Sequence, residues 1–450
     1  MSATYIYPTQ ITTPSIVAQQ GVTKPVSYVI YSGSGGNYYA ENGRTGNVDY
    51  SGTNAAAVIQ AALNNTSQGT VLVKAAVYSV NTQLTIPTSV TLMGEGTVGD
   101  IYGQGTTGVG ATSFTWGGSA NTSVIKFSTV KNAALRQVNI NMNNTNGANG
   151  VELYESNECV LEDVTVMYGG SNSVGYLIDS AGATYGSLFN HLTRCKALGV
   201  TTFMSFSGTS SSYATGDNVV TQCDGQACTT GIQLVKYSDH NYFWGLHVRL
   251  NEASGIGVVL NSDSPTNERG VYMNYFFEPF FESNQNYTAI QANYNGGNPN
   301  YFIKPIFEKL SGVTVTPLVT QGSSHTMYID TDSITNTIQE TWGGFISLPY
   351  SSSVITQNKI KAYIPSGTNM AVGLNSFTFL SSLLTGDGNA IVLVHGIADY
   401  DGNPKYIGAF YGFDNSASVA NQGIVSITST SAFTTSGQIQ LSIIILRNTT

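Results

Sequence analysis

Three stretches of this 450-residue chain open on the same three residues: Asn241-Tyr-Phe-Trp-Gly-Leu-His-Val-Arg249, Asn274-Tyr-Phe-Phe-Glu-Pro-Phe-Phe-Glu282 and Asn300-Tyr-Phe-Ile-Lys-Pro-Ile-Phe-Glu308. Counting the Phe as position 0, small or apolar residues recur at 0, 3 and 5: Phe243/Leu246/Val248, Phe276/Pro279/Phe281 and Phe302/Pro305/Phe307. Four weaker copies precede them: Leu135/Val138/Ile140, Leu161/Val164/Val166, Leu192/Cys195/Ala197 and Val220/Cys223/Gly225. Position-0 residues follow one another at separations of 26, 31, 28, 23, 33 and 26 residues. A period of this length, with a short strand per unit and no helix between, is the mark of a solenoid. One coil cannot bury its own apolar face, but coils stacked about 4.8 Å apart build a shared core and pair their backbones. The chain is read as all-β, a parallel β-helix. A β-sandwich of loosely similar strands is the alternative, and it leaves seven copies unexplained.

Upstream of the coils, residues 1–45 are rich in Pro, Thr, Ser and Gly and read as an extended lead-in or attachment segment. A helix is expected from Thr53 to Leu63, because Ala55, Val58, Ile59 and Ala62 fall on one apolar face and Thr53 or Asn54 can cap it. The run Val48-Asp-Tyr-Ser-Gly-Thr-Asn-Ala-Ala-Ala-Val-Ile-Gln-Ala-Ala62, followed by Gly69-Thr-Val-Leu-Val73 and Val90-Thr-Leu-Met-Gly-Glu-Gly96, resembles the opening of pectate-lyase-superfamily β-helices. Phage tailspikes and archaeal and archaeal-virus surface proteins share that opening. The resemblance spans about residues 36–96 and implies a right-handed parallel β-helix whose helix caps the open end of the barrel. It departs at Lys74-Ala-Ala-Val-Tyr78, where the family usually places Pro and Gly before the Tyr, and it does not specify a reaction. The β-helix is assigned to residues 46–341. Residues 342–450 change to longer strands, with a hairpin turn at Asp401-Gly-Asn-Pro404, and are read as a C-terminal antiparallel β-sandwich.

Composition narrows the function. Charged residues make up 10% of the chain, against roughly 25% in ordinary globular proteins. Asn, Ser, Thr, Gly and Tyr supply the polarity instead, as suits repetitive β-structure with many tight turns. A net charge of −9 without a basic cluster argues against nucleic acid, and no apolar run suits membrane insertion. The N-terminus lacks the pattern of a secretory signal, which fits a virion component assembled inside a host, or a chain trimmed of its leader. Six N-x-S/T sequons, from Asn64 to Asn448, are compatible with extracellular exposure. Cys159, Cys195, Cys223 and Cys228 form neither a disulfide framework nor a metal motif. Cys195 and Cys223 share an inward column and read as stacked thiols, with a Cys223–Cys228 loop disulfide as the alternative. No cofactor and no metal is expected.

The same register turns positions 1, 2, 4 and 6 outward. The last three coils then expose Trp244, Phe277 and Phe280 beside His247, Arg249, Glu278, Glu282 and Glu308. Apolar rings flanked by carboxylates and Arg suit sugar rings; a covering loop or a subunit contact, for instance in a homotrimer, suits them too. Glu282 and Glu308 sit one coil apart, near the ~5–5.5 Å carboxyl separation of retaining glycosidases, and like charges so close push one pKa up. The plainer reading is an outward ladder in which Arg249 neutralises Glu282, with Glu278 and Lys304 as a solvated ion pair. Lyase and polygalacturonase signatures are incomplete: no R-x-P-x-x-R follows Asp239-His240, and Thr215-Gly-Asp-Asn218 holds one Asp. Three functions follow as expectations. The first is a spike or fibre binding cell-surface glycan or polysaccharide outside the cell or on a virion. The second is a hydrolase or lyase on the same scaffold, and the third a purely structural surface protein.

Overall fold

The computed structural model describes residues 24–97, 110–180, 185–210, 212–251, 254–261, 270–293, 300–308 and 312–320, then the strands between His325 and Thr449. Nine strands, from Leu84–Ile86 to Val315–Thr320, form one parallel sheet, each pairing with the strand one coil later. A larger sheet collects the strands that open each coil, and Ser187–Leu188, Thr215–Gly216 and Ser238–Asp239 form a third. The chain is a right-handed parallel β-helix, the hand that parallel crossovers adopt in about 98% of cases.

The expected register holds residue for residue. Leu135, Leu161, Leu192, Val220, Phe243, Phe276 and Phe302 are successive partners, all 0% exposed. The Phe243, Phe276 and Phe302 rings stack at 4.4 and 4.5 Å, tilted by 5° and 2°. Position 5 forms a second buried column through Val248, Phe281 and Phe307. Gly225 in that column is bare because the Phe203 ring fills its place: a Cβ there meets Phe203 Cδ1 at 2.5 Å.

Position 2 is the corner of every coil. Gln137, Asp163, Arg194, Gln222, Gly245, Glu278 and Lys304 all hold φ between 50° and 59°, a left-handed conformation; from Arg194 on, the strand ends at position 1 and resumes at position 4. Behind the other end of the strand runs a ladder of buried amides. Asn190, Asn218, Asn241 and Asn274 each donate Nδ2 to Oδ1 of the Asn one coil on, ending at Asn300, over 2.8–2.9 Å. Each acceptor oxygen also takes the backbone N–H of the preceding Asn, at 3.0–3.3 Å. The second Nδ2 hydrogens reach main-chain carbonyls such as Thr215 O, 3.1 Å from Asn241. Side chains that are 0% exposed are thereby satisfied, as buried amides must be.

The helix spans Ala55–Asn64, with Asn54 Oδ1 accepting from Ala57 N at 3.1 Å. Its buried face (Ala55, Ala56, Val58, Ile59, Ala62 and Leu63) closes the core. Gln60 does more: its amide exchanges hydrogen bonds with Thr85 N (2.8 Å) and Thr85 O (3.0 Å), occupying the edge of the nine-stranded sheet. Covering an edge this way removes a site for unwanted strand addition.

Two regions differ in detail from the sequence reading. From Lys24 the lead-in runs in strands that join the barrel: Tyr28–Ser32 pairs antiparallel with Tyr38–Asn42 and parallel with Val71–Val73. The chain reverses there through Gly35 and Gly36, both at positive φ (73° and 75°). At the other end, His325–Asp330 is parallel to Asn300–Ile303 on one side and antiparallel to Gly343–Leu348 on the other. The remaining strands are antiparallel, with Ile439–Thr449 between Val354–Ile364 and Ala390–Asp399. The turn at Asp401–Pro404 and the packing of one sheet on another lie outside the described residues.

Asn241→Ala removes an acceptor used by Asn218 and a donor to Asn274 and Thr215, all buried. It is expected to cost about 3 kcal/mol or more, since each orphaned group costs about 1–3 kcal/mol, measured by urea melts. A change within 0.5 kcal/mol, on the order of an ordinary surface substitution, contradicts the ladder.

Candidate functional site: an aromatic and carboxylate wall

The tripeptide that heads each late coil alternates across the strand: Asn inward, Tyr outward, Phe inward, then Trp244, Phe277 or Ile303 outward. Trp244 is 47% exposed and stacks on Phe277 at 4.1 Å with a 22° tilt; Ile303 continues the column. Beside it runs a column the sequence reading omitted. Tyr242, Tyr275 and Tyr301 stack at 5.1 and 4.7 Å with tilts of 4° and 1°. The period-2 alternation that turns Trp244 outward also turns Tyr242 outward, so the signal was present one residue before position 0.

Past the corner the wall becomes polar. His247 lies between carboxylates of the two neighbouring coils, with Nδ1 3.2 Å from Asp224 Oδ1 and Nε2 3.4 Å from Glu282 Oε1. Arg249 Nε stands 3.7 Å from the same Glu282 oxygen. Phe280 sets its ring near-edgewise to His247, centroids 5.0 Å apart. Glu308 stands one coil beyond Glu282 in the same outward column, next to the paired residues Phe281 and Phe307, and the two carboxyls interact. Glu278 is exposed at its corner.

Charge follows from these contacts. The Glu308 carboxyl is held above its ordinary range by its hydrogen bond to Glu282, then by burial and by Glu282's charge. His247 is raised chiefly by its hydrogen bond to Asp224, with burial opposing and the Asp224 and Glu282 charges adding. Aromatic faces, two carboxyls one coil apart, and His247 and Arg249 beside the Glu282 carboxylate can stack and hydrogen-bond a ligand or exchange a proton. The four cysteines are free, buried thiols; burial first, then the neighbouring Cys223, drives the Cys195 thiol up. The loop disulfide considered for Cys223 and Cys228 is not formed. Among the described residues no group of three or more His, Cys, Asp or Glu is placed to hold a metal ion, and no helix is long and apolar enough to cross a membrane.

The raised Glu308 fixes a pH dependence. A carboxyl whose folded pKa exceeds its unfolded value (about 4.5) makes the fold lose stability as pH rises through the folded pKa. Glu308→Gln removes that repulsion and lets an amide donate to Glu282. Its Tm is expected above that of the unsubstituted protein at pH 7, with the gap closing toward pH 4.5. A gap independent of pH contradicts the raised Glu308 carboxyl.

No protein-family model matches the chain, and no curated protein is similar to it in sequence. Among solved structures it is similar to a tailspike protein double mutant of E. coli bacteriophage HK620, at 11% identity and TM-score 0.41, over 88% of this chain and 90% of that one. Geobacillus virus E2 ORF18 gives 15% identity and TM-score 0.39 over 89% and 85%. The tailspike of Acinetobacter phage vB_ApiP_P1 gives 11% and 0.31 over 88% and 86%. Likeness at this level assigns no site and no substrate.

Proposed function

We propose that this chain is an extracellular or virion-surface spike that holds a cell-surface polysaccharide against the outer wall of its β-helix. The observation that carries the reading is Trp244, about half exposed and braced from one side by Phe277. A large indole left in water on a rigid strand, beside three stacked tyrosines, is a surface for the apolar face of a sugar ring, and the phenol hydroxyls supply polar contacts. The stacking between coils fixes the ring orientations before binding, which lowers the ordering cost of association.

Hydrolysis on the same wall is the second reading, favoured by the acid–base character of Glu282 and Glu308. Against it, His247 at 3.4 Å and Arg249 at 3.7 Å already engage the Glu282 carboxylate, and neighbouring positive charge makes a carboxylate a poorer base and nucleophile. Binding is therefore the function put forward.

Trp244→Ala is expected to weaken binding of host-envelope polysaccharide by about tenfold or more, or about 1.4 kcal/mol, read by surface plasmon resonance. Unchanged affinity contradicts the reading. Incubation with that polysaccharide is expected to release no new reducing ends. Release abolished by Glu282→Gln or Glu308→Gln establishes the hydrolase instead.

A further inference from the structure

We infer that the sugar is seated in the recess beside Trp244 and Tyr242, over Thr221 and Val219, and that the seat takes a neutral pyranose rather than a uronate. This rests on the polysaccharide reading above and narrows it to one place and one charge class. Rings stacked along the helix axis cover one another's faces. Phe277 covers the indole face toward the following coil, at 4.1 Å. The opposite face is turned to the preceding coil, where the partner of Trp244 is Thr221 and the partner of Tyr242 is Val219. Those side chains are too small to cover a ring. One coil further back the indole column carries Thr193, so on that side the step persists through two coils, about 10 Å at ~4.8 Å per coil, while the exposed His191 imidazole closes the tyrosine side after one coil.

The far side of the recess is charged but internally neutralised. Arg194 donates to Asp163 through Nε at 2.7 Å and Nη2 at 2.9 Å, and to Glu162 through Nη2 at 2.8 Å. Arg136 pairs with the same Glu162. A sugar carboxylate arriving here meets two carboxylates and a guanidinium already engaged by both. A neutral pyranose offers an apolar face to the indole and hydroxyls to Thr221, Thr193 and the exposed Gln222. The recess, not the Phe277 and Phe280 rings further along the wall, is thus where an uncovered aromatic face meets hydrogen-bonding groups.

The test uses the whole protein and calorimetric titration with short neutral oligosaccharides (glucose, galactose, mannose and N-acetylglucosamine oligomers) and with matching uronate oligomers. Thr221→Trp and Val219→Tyr each place a ring against the open face without touching the core, and circular dichroism checks that both fold. The inference expects a neutral oligomer to bind the unsubstituted protein and to lose about tenfold or more in affinity in each filled variant, as in Trp244→Ala. If Trp244→Ala loses binding while both filled variants retain it, the recess is overturned and the polysaccharide reading stands. Tighter binding of uronates overturns the charge class. Binding of neither kind overturns the seat and the reading on which it rests.

Discussion

The hydrogen bonds that run along the helix axis hold this molecule together. Every coil pairs its backbone with the next, and the Asn190-to-Asn300 amides add a buried strand of side-chain bonds in the same direction. From Asn218 to Asn300 each amide oxygen accepts from both the side chain and the main chain of the preceding Asn, so a coil cannot shift by one residue without leaving buried donors unpaired. A one-residue slip would also turn every inward side chain outward. The left-handed corner residue repeats at the same place in each coil, and the three constraints agree on one register.

That register produces the wall. With the coils locked, a step from Val219 and Thr221 to Tyr242 and Trp244 becomes a ledge on the outside, and the next two coils brace it from behind through Tyr275, Phe277 and Tyr301. The polar strip past the corner obeys the same rule. Asp224, His247, Glu282 and Glu308 come from coils 23 to 35 residues apart in sequence, yet form one column of alternating contacts. Stacking at a coil's spacing raises Glu308 through its neighbour Glu282 and raises His247 through its hydrogen bond to Asp224.

Much of this was legible in the residues. The spacing of Leu135, Leu161, Leu192, Val220, Phe243, Phe276 and Phe302 predicts their column because burial at period 2 admits no other alignment. The same alignment gathers Asn190 through Asn300 two residues before position 0, a ladder visible only once polar as well as apolar recurrences are followed. The Glu282–Glu308 pairing was legible as adjacency one coil apart, whereas the rise of Glu308 depends on side-chain torsions, which the sequence does not reveal. In the lead-in, the Ser and Gly content marks the turn at Gly35–Gly36, while the pairing of the strands on either side with the first coil leaves no signal in composition.

The most direct measurement is a crystal structure of the protein soaked with the tightest-binding neutral oligosaccharide. The account predicts a pyranose lying flat on the Trp244 face that looks toward Thr221, with Thr193 or Thr221 within hydrogen-bond reach. A sugar seated instead along Phe280 and Ile306, or a Trp244 face buried against a neighbouring copy in a stable oligomer, contradicts it.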